Sequence, residues 1–235
     1  MDVSSTASKR RRTDSELGTI SPADSDKDTT PHPDFWFQDG SIILMCDPFG
    51  FRLHPSILSL HSTVFRDMFS VGSPSGDETY DGCTVLRLQD DADDMYQTLK
   101  MLYFRTYGQN KKTFTLTTIS GILRICTKYM IDGLRQEIVD YLTFVFPSTI
   151  ETYRSTLRRT ALPVNFNPVV GVEISHEFDL PIILPGALYQ SALLGVDAIL
   201  NGVPQHGGLR AQVSQRVQRE ILLFRHMLEE SMDDD

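Results

Sequence analysis

The chain has 235 residues, 40% of them hydrophobic and 23% charged, a balance that supports a folded core and excludes wholesale disorder. Its net charge of −9 is the wrong sign for a general binder of nucleic acid or of an anionic membrane, which needs a basic face. No apolar run approaches the roughly 20 residues of a bilayer span, no apolar h-region marks a secretory signal, and Cys46, Cys83 and Cys126 are too widely spaced and odd in number for a disulfide framework.

Residues 1–33 hold 11 Ser/Thr, mixed charge and few aliphatics, which predicts a disordered tail closed by Pro31-His32-Pro33. Within it Lys9, Arg10, Arg11 and Arg12 form a compact basic cluster. Such a cluster fits a nuclear localisation signal, and it fits a solvated charge run equally well. It is too small to indicate DNA binding.

From Phe35 the pattern turns globular. Ile42–Cys46 is an apolar run of strand length, and Phe51-Arg52-Leu53-His54 alternates. Asp47-Pro48-Phe49-Gly50 between them predicts a type I turn and hence a hairpin, with Phe49 at its tip. An apolar ring on a turn tip is a candidate contact for a partner or for the chain's own C-terminal helices. Pro55 suits the first position of a short helix to about Leu60, and Ser62 can cap a second helix carrying Val64, Phe65, Met68 and Phe69.

Residues 70–83 read as a polar loop that includes Cys83, which we expect to be an inert thiol. Val85–Leu88 predicts a third strand. The acids Asp90–Asp94 then suit a helix N-terminus rather than a metal loop, because the oxygen spacing of a cation site is missing. Met95, Leu99, Leu102 and Tyr103 stripe that helix. After a linker over 106–113, two helices carry Ile119, Ile122, Leu123 and Cys126, then Leu134, Ile138, Tyr141, Leu142 and Val145. Pro147 ends the second, and Ser148-Thr149-Ile150-Glu151 has capping-box spacing for another. Asn167-Pro168 and Pro185 predict two further helix starts, and 201–208 a loop. Val213, Val217, Ile221, Phe224 and Leu228 predict a last amphipathic helix that runs into an acidic end. The fold class expected is α+β: a small sheet capped by helices over 34–148, then an all-helical extension over 149–235.

The stretch Phe51 to Phe69, with Asp39, Phe51, His54, Leu58, Ser62, Phe65, Met68 and Phe69 as its pattern, resembles the central signature of BTB/POZ domains. Val85–Asp90 followed by Leu99, Leu102 and Tyr103 is similar to the later strand and helix of that family. Ile122–Tyr129 with Pro147-Ser148 resembles the large fungal, basidiomycete-type set of BTB proteins. The resemblance implies a non-catalytic module that self-associates, as a homodimer in many members, and recruits protein partners. It also implies a role as substrate adaptor for a cullin-type ubiquitin ligase or as a transcriptional co-regulator. Cullin-binding members carry a hydrophobic-x-Glu element just after the Met-Phe helix, and Val71-Gly72-Ser73 holds no acid there.

Enzyme chemistry finds little footing. None of the six histidines, His32, His54, His61, His176, His206 and His226, sits in an HExxH or a Cys/His pair with zinc spacing, and no GxSxG, P-loop or GxGxxG occurs. His54 reads as a core histidine satisfied by Asp39. The expectation is therefore a protein without catalytic, metal or cofactor residues, binding protein rather than nucleic acid or membrane, in the nucleus or the cytoplasm.

Overall fold

The apolar run Ile42–Cys46 forms β2, and all five of its residues are buried. Burial on both faces explains why the run does not alternate. The structure, a computed structural model, describes residues 30–71, 78–104, 106–204, 210–211 and 214–233. Five strands form the main sheet: β1 (Thr30–Trp36), β2, β3 (Phe49–Leu53), β4 (Thr79–Tyr80) and β5 (Cys83–Arg87), in the order β1-β3-β2-β5-β4. β2 pairs antiparallel with β3, Ile42 opposite Leu53 and Cys46 opposite Phe49, and parallel with β5, Leu44 opposite Leu86. A parallel partner requires a crossover. The helices α1 (Pro55–His61) and α2 (Thr63–Ser70) supply it between β3 and β5.

Three local expectations are corrected here. The connection from β2 to β3 is two residues long and carries a cis Asp47–Pro48 peptide, so Phe49 is the first residue of β3 and not a turn tip. Thr30–Pro33, expected to belong to the tail, lie in β1, which runs parallel to β3 with Thr30 opposite Phe49 and an irregularity between Pro31 and Trp36. Prolines are tolerated because β1 is an edge strand. Cys83 lies in β5 and is buried, its Sγ donating to the Gly40 carbonyl at 3.4 Å. The turn before it, Asp81-Gly82, has φ of 49° and 73° at its two residues, the pairing of positive φ values that an Asp-Gly hairpin turn favours.

The remaining helices are α3 (Ala92–Tyr103), α4 (Leu116–Lys128), α5 (Asp132–Val145), α6 (Ile150–Arg154), α7 (Thr156–Thr160), α8 (Pro168–Glu177), α9 (Leu184–Ala192), α10 (Val196–Asn201) and α11 (Gln215–Asp233), with a 3₁₀ stretch over Tyr107–Thr113 and a small ribbon, β6 (Val203–Pro204) with β7 (Arg210–Ala211). Several helix starts follow side-chain chemistry. Ser62 accepts from the Phe65 amide, Asp91 from those of Asp93 and Asp94, and Asn167 from that of Val169. At α6 the cap is Thr149, accepting from Thr152, so the Ser148–Glu151 capping box expected there does not form.

One buried apolar cluster runs from Phe35 through the sheet and α3–α5 to Val172 on α8, Ile183 and Ala187 near α9, and Val217 and Ile221 on α11. A smaller cluster of Ile43, Met45, Cys83 and Val85 lies apart from it, with Trp36 and Tyr80 packed against it. The sheet unit and the helical extension thus share a core. Gly171 and Gly186 make close joints between them. A Cβ on Gly171 would come 2.3 Å from the Phe146 ring, and one on Gly186 would come 2.6 Å from the Pro147 carbonyl oxygen.

Candidate interaction surface

The eight signature positions divide into a buried frame and an exposed remainder. Phe51, Leu58 and Phe65 are 0–1% exposed and lie in the common core. Ser62 is buried as well. Besides capping α2, its hydroxyl donates to the Tyr129 carbonyl at 2.5 Å, tying α2 to the end of α4. Phe69 is half-buried beside Phe65, their rings 5.8 Å apart.

His54 sits where β3 passes into α1, as the N-cap residue, without a side-chain capping bond. Its Nε2 lies 3.2 Å from the Asp39 carboxylate, and its backbone amide donates to Tyr103 Oη at 3.2 Å. The ring packs 5.0 Å from Phe37. The hydrogen bond to His54 holds the Asp39 carboxyl below its ordinary range. This is a fixed junction between β3, α1 and α3. No nucleophile stands beside it among these contacts.

Phe49 is half-buried. Its ring meets His32 of β1 edge-on at 5.2 Å, and it packs against the main core. His32 in turn stacks on Phe51 at 5.1 Å and lies 4.5 Å from Tyr96. The basic cluster Lys9, Arg10, Arg11 and Arg12 lies outside the described residues.

All three cysteines are free and buried. Burial pushes Cys46 and Cys126 each up to about 12, so both are protonated near neutral pH. Among the described residues no group of three or more His, Cys, Asp or Glu side chains could hold a metal ion, and no helix is long and apolar enough to cross a membrane.

Beside the polar Ser56, His61, Arg66, Asp67 and Ser70, the α1–α2 pair presents large apolar side chains to solvent. Leu60 is 78% exposed, Val71 at the C-cap of α2 is 85% exposed, and Met68 between them in sequence is 40% exposed. Met130, directly after the Tyr129 that receives the Ser62 hydroxyl, is 52% exposed. Large apolar side chains so displayed have no role in the core. Exposed apolar side chains mark contact with another macromolecule where they form one contiguous patch. Helical spacing assigned Met68 to the apolar face of α2, and Leu60 to the end of α1. The exposure of both follows from how α1 and α2 pack on each other and how α2 meets Tyr129 at the end of α4, a tertiary fact that spacing does not carry.

A second apolar concavity, of about 180 Å³, lies where the extension begins, lined by Pro147, Ile150, Tyr153, Pro185 and Tyr189. Beneath it Arg158, 4% exposed, donates to the carbonyls of Val145 at 2.9 Å and Tyr153 at 3.4 Å and to the Gln190 side chain. Burial lowers its pKa, and no carboxylate pairs with it in these contacts. Nothing in the sequence around Arg158-Arg159 separates the buried arginine from its exposed neighbour.

No curated protein matched the chain in comparison. Residues 40–144, from the loop before β2 almost to the end of α5, match the family model of the BTB/POZ domain.

Proposed function

We propose that the chain is a non-catalytic protein–protein interaction module that self-associates and recruits protein partners, serving as a substrate adaptor of a cullin-type ubiquitin ligase. The observation that carries this reading is the apolar display of Leu60, Met68 and Val71 along α1 and α2. Val71 occupies the position just after the Met-Phe helix at which cullin-binding relatives place a hydrophobic contact. The acid two residues further on is replaced by Ser73, so the contact would rest on apolar burial alone. The extension over 149–235 would then hold the substrate.

The test is affinity purification of the intact chain from its own cells with identification of co-purifying proteins, beside a Leu60→Asp/Val71→Asp variant. Near-stoichiometric cullin that disappears with the variant is the expected result. Cullin absent from both samples overturns the adaptor reading.

The basic cluster Lys9–Arg12 supports a second reading, a nuclear transcriptional co-regulator without a DNA-reading domain of its own. Deleting residues 9–12 should move the protein out of the nucleus. An unchanged distribution removes that support.

A further inference from the structure

The outer face of α11 does not match its inner one. Val217 and Ile221 are 2% and 0% exposed and pack into the common core, and Phe224 is half-buried against it. Arg225 donates to the carbonyls of Ala192 and Leu194 at 3.2 and 2.5 Å, fastening the helix to the end of α9. At 100° per residue, Arg216, Arg219, Leu223, Met227 and Glu230 fall within about 40° of one line along the opposite side. Leu223 and Met227 there are 54% and 65% exposed. Beside the stripe lies a groove of about 570 Å³ whose walls include Leu188, Glu220 and Phe224.

The stripe is ordered by charge: two arginines at its N-terminal end, two apolar residues at its centre and a carboxylate at its C-terminal end. Arg216 and Arg219 have no ion-pair partner among the described residues. Among the described residues Glu230 meets only His226, at 3.3 Å and well exposed. Glu220, at the edge of the stripe, is occupied by His176 of α8 at 2.7 Å. Such a pattern is complementary to itself when reversed. With two copies of the helix antiparallel about an axis near residue 225, Leu223 faces Met227 of the other copy, and Met227 faces Leu223. Arg219 faces Glu230 at both ends. A parallel pair would set arginine against arginine, which is unfavourable.

We propose that α11 is a homotypic contact in which a second copy of this chain docks antiparallel along the Arg219–Leu223–Met227–Glu230 stripe. A two-fold contact requires a surface complementary to itself, and this stripe meets that requirement in its order of charged and apolar residues. The inference rests on the self-associating reading above, but it places a contact on the extension, apart from the domain over 40–144.

The test uses the full chain with single cysteines, Arg219→Cys and Glu230→Cys, since the native thiols of Cys46, Cys83 and Cys126 are buried. Mild oxidation of an equimolar mixture should give a crosslinked dimer joining one chain of each kind, several-fold above either variant alone. A charge exchange gives an independent reading. Arg219→Glu and Glu230→Arg should each weaken association measured by sedimentation about tenfold, and the double variant should restore it. An assembled chain that gives no mixed crosslink, or that crosslinks equally in the single-variant samples, overturns the α11 contact and leaves self-association standing. A chain that is monomeric throughout the micromolar range overturns both.

Discussion

The rings of Phe65 and Tyr129 lie stacked 4.4 Å apart and within 7° of parallel, joining the middle of α2 to the C-cap of α4. Around this pair the Ser62 hydroxyl binds the Tyr129 carbonyl, and Tyr129 Oη donates to Asp90, whose other oxygen takes Lys128 at 2.7 Å. Burial and the bond to Asp90 both push the Tyr129 phenol well up. Phe65→Ala should cost about 3–5 kcal/mol in urea unfolding, the range for removing a buried aromatic ring. Ser62→Ala should cost about 1–3 kcal/mol through the lost cap and the orphaned carbonyl. Tyr129→Phe keeps the stack and should cost less than either.

The attachment of β1 should depend on pH. His32 is 9% exposed, and its Nδ1 accepts the Asp34 amide at 3.2 Å, which only an unprotonated nitrogen can do. Burial lowers its pKa below the ordinary 6.5, an effect that the charge of Asp34 partly offsets. The unfolded chain therefore binds the proton first. The stability contributed is present in full above 6.5 and is lost as pH falls through the lowered folded-state value. Trp36, the single tryptophan, lies in β1 and reports its release by fluorescence. Thermal stability of the natural chain should fall between pH 7 and pH 5 relative to His32→Phe. Parallel curves for the two proteins would remove His32 as the cause.

Arg158 should be expensive to lose. Its guanidinium answers the Val145 and Tyr153 carbonyls and Gln190, all at the seam between the sheet unit and the extension. Arg158→Met should cost about 3 kcal/mol in urea unfolding, because buried acceptors are left without donors. The double variant Arg158→Met/Gln190→Leu should cost less than the sum of the single changes, since both act on one network.

Close approach at Gly186 gives a sharp pair of substitutions. Gly186→Ala forces a Cβ to 2.6 Å from a backbone carbonyl that cannot move freely and should cost about 1–3 kcal/mol. Gly133→Ala, in the first turn of α5 with nothing within 4 Å, should instead stabilise by about 0.5–1 kcal/mol. Melting temperatures of the two variants should move in opposite directions.

The local parts of this fold were legible because their causes are local. Pro55, Ser62, Asp91 and Asn167 begin helices through chemistry that acts within four residues, and the apolar run 42–46 has the length of a strand. β1 escaped because Thr30-Pro31-His32-Pro33 has a tail's composition, and its place beside β3 depends on a pairing 19 residues away. Asp81-Gly82 is different. An Asp-Gly pair between short strands is a hairpin signal, and reading 70–83 as one loop passed over it. Phe49 was misplaced by one assumption about turn length. The exposed stripe of α11 was also open to reading, since Leu223 and Met227 fall off the face marked by Val217, Ile221 and Phe224. Arg158 was not, because its burial is set by α9 and the end of α5 rather than by its own helix.

Because the apolar core passes without a break from Phe35 to Ile221, a protease or a premature stop codon acting near Pro147 would strip cover from Val145 and Phe146, both fully buried in the intact chain. The fragment left behind would display that surface to chaperones and degradation enzymes. Loss of the extension would therefore lower the amount of the sheet-bearing half in the cell, so that a truncated gene product would behave as an absent one.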